Sequence, residues 1–144
     1  MFALHGNGVG GGIAIGRARV LYTPGQEVVE YAITGERVFE EVKRFKNAVT
    51  SARTGLEAKL EMLPTEGAGE IKAILNAHLL MLLDPELSEE PARLIETRKI
   101  NAEAALKQHA DHLEAVFSAI DDPYLSSKSA DVAQVTNRVM GELI

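Results

Sequence analysis

From Thr34 to Leu63 the apolar positions Val38, Val42, Phe45, Val49, Ala52, Leu56, Leu60 and Leu63 recur mostly at alternating spacings of four and three. That is the period of a helix with one buried face. Thr34 reads as its N-cap and Pro64 as its stop, which gives about 29 residues, or ~43 Å at 1.5 Å per residue. A second helix is expected from about Gly69 to Leu83. Asp84-Pro85, and then Ser88 with Pro91, can each restart a helix, because proline is tolerated in the first turn, so a kink is expected there. Asn101 reads as the cap of a third helix carrying Ala102, Leu106, His109, Leu113, Val116 and Ile120. Asp122-Pro123 opens a fourth carrying Leu125, Val132, Val135, Val139 and Leu143. Short connections force antiparallel neighbours. The expected fold is mainly α: two antiparallel helical hairpins forming a four-helix bundle with a kinked second helix.

The second helix holds more apolar residues than one buried face can use. With successive residues 100° apart, Ile71, Ile74, Leu75, His78, Leu79 and Leu82 share one broad face and read as core. Leu80, Leu83 and Leu87 fall nearly opposite. An apolar cluster on the outer face, flanked by Asp84 and Glu86, reads as a docking surface.

Ahead of the helices, Gly6, Gly8, Gly10, Gly11, Gly12 and Gly16 crowd a stretch leading into a strand expected over Ile13 to Tyr22. Gly6-Asn7-Gly8-Val9-Gly10-Gly11 fits the pattern GxGxxG, but a dinucleotide site needs a strand before it and a helix N-terminus after it. Here a strand follows, so the glycines read as a turn. Two units result, residues 1–30 and 31–144.

A net charge of -6 argues against nucleic acid, whose phosphates are met by Lys and Arg; a basic protein partner fits better. The longest apolar run, Leu79 to Leu83, is far short of the ~20 residues that span a bilayer, so no membrane partner and a cytoplasmic location are expected. The absence of cysteine removes disulfides and thiolate metal sites.

Of the four histidines, His109 and His112 stand three apart on one helix. Bundle metal sites usually pair Glu-x-x-His, and Leu75 and Leu106 occupy the Glu place before His78 and His109, so no metal is expected. His78, within the apolar face, reads either as a buried histidine bonding to backbone or as part of the docking surface. The acidic pairs Glu40-Glu41, Glu89-Glu90 and Asp121-Asp122 read as solvated faces and caps. Ser126, Ser127 and Ser129 have no histidine nearby in sequence to act as base.

Three separated segments in order carry a family resemblance: Gly12-Ile13-Ala14-Ile15-Gly16-Arg17-Ala18, His78-Leu79-Leu80-Met81-Leu82 with Asp84 and Glu86-Leu87, and Asp121-Asp122-Pro123-Tyr124-Leu125 with Ala130-Asp131-Val132. With them the chain resembles the N-terminal part of Enzyme I, the phosphoenolpyruvate-protein phosphotransferase of the bacterial sugar phosphotransferase system. The resemblance implies a helical domain that binds the phosphocarrier HPr, with the first strand belonging to a truncated phosphohistidine α/β domain. It implies HPr contacts at Glu70, His78, Leu80, Met81, Leu83, Asp84, Glu86, Leu87, His112, Phe117 and Lys128. Pro85, Ile71 and Ala133 depart from the family pattern.

The active histidine of the family, in a Gly-Gly-x-Thr-Ser-His segment, and its phosphoenolpyruvate and magnesium site are expected outside this chain. No catalytic residue and no cofactor are then expected within it, and alone it should be an inactive monomer, the full-length parent a homodimer. The competing reading is a free-standing helical adaptor or oligomerisation module using the same patch.

Overall fold

The structure is a computed structural model describing residue 3 and residues 5–8, 10–17 and 27–144. Helical periodicity governs nearly all of the last stretch. A 3-10 turn, Gly35–Arg37, leads into α1 (Val38–Met62), followed by α2 (Gly69–Leu83), α3 (Pro85–Ser88), α4 (Glu90–Arg98), α5 (Ala102–Ser118) and α6 (Pro123–Leu143). α5 packs most extensively on α6; α1 lies against α6, α4 and α2, and α2 also reaches α6.

The segment after α2 breaks rather than kinks. Asp84 is extended at φ -72° and ψ 131°, the conformation that a following proline imposes on its predecessor. Its carboxylate accepts a hydrogen bond from the Glu86 N–H at 2.9 Å and so caps α3, with Pro85 at the first helical position. A second interruption at Glu89, φ -121° and ψ -38°, separates α3 from α4. The expected kinked helix is therefore three helices, and the core is shared by more elements than a four-helix bundle has.

Phe45, Leu56, Ile95, Leu106, Val135 and Met140 are completely or almost completely buried. Alanines at 48, 52, 92, 102, 104 and 105 pack with them in one cluster, small side chains that let helices approach closely. On α2 the buried stripe is Leu75, His78 and Leu82. Ile71 and Ile74, expected in the core, are about half exposed, while Ala68 at the N-cap position is buried.

Asp122 caps α6 as expected, accepting from the Tyr124 and Leu125 N–H groups. Asn101 stands at the N-cap position of α5 but makes no side-chain cap. Its amide instead accepts from the Tyr31 N–H and donates to the Val29 carbonyl, each at 3.0 Å. The cap of α5 comes from another helix, since Glu41 on α1 accepts from the Ala102 N–H at 2.7 Å.

Lys99 ends α4 in the left-handed region, φ 50°, and its carbonyl accepts from the Ile33 N–H at 2.9 Å. With a bridge between Ala32 and Ile100, these bonds lay residues 29–33 along the α4–α5 connection. Of the strand expected over Ile13 to Tyr22, Ile13–Arg17 carries no strand pairing, and the remainder lies outside the described residues.

Candidate functional site

Three helices each contribute two apolar or amphipathic side chains one turn apart: Ala77 and Met81 from α2, Leu113 and Phe117 from α5, Lys128 and Val132 from α6. Residues four apart on a helix stack on one face. Where these three faces meet, an open groove of about 270 Å³ remains, lined also by Asp84, Glu86 and Leu87. Its floor is apolar and its charged groups stand at the edge, the anatomy of a protein-recognition surface. Lys128 is held with Nζ 5.3 Å from the centre of the Tyr124 ring, a cation–π distance.

Of the expected contact residues, the groove brings together Met81, Asp84, Glu86, Leu87, Phe117 and Lys128. Leu80 and Leu83 are 69% and 56% exposed, as the helical wheel required, but neither lines it. Leu83 faces a separate hollow beside Lys46, Val49 and Arg53 of α1. Glu70 is exposed at the start of α2. His112 is exposed and borders another hollow with Leu94, Arg98, Gln108 and Asp111.

Leu87 corrects the wheel, for it is 6% exposed and belongs to the core. The break at Asp84 restarts the helix in a new direction, so the angular phase of α2 does not carry into α3. Ala77, Leu113 and Val132 were missed as groove residues. The only sequence signal for them is that each stands four residues from a partner that also lines the groove.

Two histidines lie under the surface beside the groove. His78, 2% exposed, holds Nε2 3.6 Å from Asp131 Oδ1 of α6, and neither ring nitrogen has a hydrogen-bond partner. It is thus buried as expected but not bonded to backbone. His109, also buried, holds Nε2 3.5 Å from Glu86 Oε2 of α3. Two of the three serines are engaged locally: Ser127 and Ser129 donate to the Tyr124 and Ser126 carbonyls.

Near the start of α5 lies a polar cluster of a different kind. Arg44 of α1 forms a two-pronged pair with Glu103 at 2.8 and 2.7 Å, reaches Glu41 at 2.6 Å and donates to the Leu143 carbonyl at 3.1 Å. Burial pushes the Glu103 carboxyl up. The Arg44 hydrogen bonds, with help from its own backbone and from Asn101, more than offset this and leave it below the usual carboxylate range. The bonds Arg44 donates, to Glu103 first and then to Glu41, hold its guanidinium charged against the opposing effect of burial.

Comparison with known proteins places this architecture. Residues 5–128 match the family described as PEP-utilising enzyme, N-terminal. The phosphoenolpyruvate-protein phosphotransferase of Cupriavidus necator is 37% identical over 142 residues, which is 99% of this chain and 24% of that protein. Its counterpart in Bacillus subtilis (strain 168) is 37% identical over 145 residues, 100% of this chain and 25% of that protein. An NMR solution structure of Enzyme I (nEIt) is similar with a TM-score of 0.75 at 27% identity, covering 81% of this chain and 47% of its own. The chain thus spans about a quarter of the length of the curated relatives it matches.

Proposed function

The chain belongs to the family of PEP-utilising enzymes, as their N-terminal part, and on that premise we propose that it is the carrier-docking unit of a phosphoenolpyruvate-protein phosphotransferase. In this reading the full protein passes phosphoryl from phosphoenolpyruvate to a histidine of its own and then to HPr. The observation that carries the reading is the convergence of Met81, Asp84, Glu86, Leu87, Phe117 and Lys128 on one groove, although they come from four separate elements. Met81 and Phe117, backed by the buried Leu87, offer an apolar centre from which affinity arises, while Asp84 and Glu86 form an acidic edge that speeds encounter and fixes register with a basic partner.

This sequence holds no Gly-Gly-x-Thr-Ser-His segment, so the chain would contribute positioning, which is a large part of catalysis in phosphoryl transfer. In this reading magnesium belongs with the phosphoenolpyruvate site, in the remainder of such a protein.

The test is titration of isotope-labelled HPr from the same organism with this chain, following amide shifts around the carrier's active histidine. Saturable, localised shifts are expected, and they should weaken in Phe117→Ala and Met81→Ala variants. Absence of shifts with the chain demonstrably folded would favour the adaptor reading instead.

A further inference from the structure

We infer that His109 is a positioning residue for partner recognition, its buried imidazole fixing the Glu86 carboxylate at the edge of the groove; this rests on the docking reading above. Glu86 sits on a helix of four residues, too short to be stable alone, and its side chain is 63% exposed. Left to itself, such a carboxylate samples several rotamers. Its backbone is fixed by the Asp84 cap, and among the described residues its side chain is paired with His109 of α5, Nε2 at 3.5 Å. That nitrogen is fully buried and otherwise unpartnered, so an approach of a few tenths of an ångström gives it a charge-assisted bond.

On its other side the ring borders the hollow it shares with Leu94, Arg98, Gln108, Asp111 and His112, whose polar groups are engaged elsewhere among the described residues. Arg98 is bonded to Gln108, Asp111 is held by Lys107, and the His112 ring centre is 6.4 Å away. His78 makes the instructive contrast, because its Asp131 partner does not line the groove. His109 therefore stands where it can order a recognition carboxylate before the partner arrives, which lowers the ordering cost of binding.

The test combines His109→Leu, His109→Gln and Glu86→Ala with the double variant His109→Leu/Glu86→Ala, each checked for folding by its thermal transition. Removing the imidazole as His109→Leu should weaken HPr binding about two- to tenfold, the worth of one pre-ordered side chain. His109→Gln, which keeps a donor near the Nε2 position, should restore affinity, and the effect of His109→Leu should vanish in the Glu86→Ala background. Independently of any carrier, the ¹⁵N shift of His109 Nε2 should move on Glu86→Ala. An equal loss in both backgrounds, or an unmoved nitrogen, overturns the inference. If the native chain binds no HPr, the docking reading falls, while the nitrogen shift still decides whether His109 holds Glu86.

Discussion

Leu80 and Leu87 look alike in sequence, seven residues apart beside the same acidic pair, yet the structure gives them opposite roles. Leu87 packs in the core, so Leu87→Asp buries a carboxylate in an apolar site and leaves the volume of the leucine unfilled. A loss of about 3–5 kcal/mol in unfolding free energy is expected. Leu80 is exposed, and Leu80→Asp should cost less than about 1 kcal/mol, mostly helix propensity. Urea unfolding of the two variants separates them; equal losses would show that α3 does not pack as described. The contrast also sets what each can report about docking: lost carrier binding in Leu80→Asp is a surface effect, whereas in Leu87→Asp it cannot be told from unfolding.

At the level of elements, the informative feature is the short helix α3, which carries Glu86 and Leu87 and depends on a single cap. Asp84→Ala removes the acceptor for the Glu86 N–H and should cost about 1 kcal/mol. Because α3 is so short, that cost should appear as local opening: the amides of Leu87 and Ser88 lose exchange protection while those of α5 keep theirs. Unchanged protection in α3 would mean that Leu87 burial alone holds it. The restart at Asp84-Pro85, though expected as a kink, and the cap at Asp122 were legible from sequence because a cap and its proline act within one turn. So was the seam of α1, since burial there follows a simple period. What the chain could not reveal by itself is long-range. Asn101 has the composition of a cap, but Glu41, 61 residues away, performs that task because the fold brings α1 to the first turn of α5. The groove escaped for the same reason, as each helix supplies only two of its side chains and none forms a patch alone. The wheel found exposed Leu80 and Leu83 but could not say that the groove lies about 100° further round, at Met81.

Over the whole molecule, chemistry is divided along the length of α5. Glu103 in its first turn belongs to the Arg44 cluster, which joins α1, α5 and the end of α6. Leu113 and Phe117 near its other end line the groove. Ten residues from Glu103 to Leu113 correspond to about 15 Å of helix, beyond the reach of direct contact and roughly twice a physiological Debye length. The cluster should therefore govern stability without governing recognition. Glu103 has its folded value depressed below the ordinary carboxylate value, so its stabilisation is complete above the unfolded value near ~4.3 and is lost as pH falls through that value to the lower folded one. Glu103→Gln removes this contribution and leaves Arg44 short of its forked partner, for an expected loss of about 1–3 kcal/mol at neutral pH. Below pH ~4.3 the native chain should lose stability more steeply than the variant, and the two curves should converge. Urea midpoints between pH 7 and pH 3 measure this, and parallel curves would refute the assignment of Glu103 to the acid limb. At neutral pH, with both proteins folded, their affinities for HPr should agree within about twofold, as expected for sites this far apart with no shared partner. A larger difference would mean that the clamp at one end of α5 sets the shape of the groove at the other.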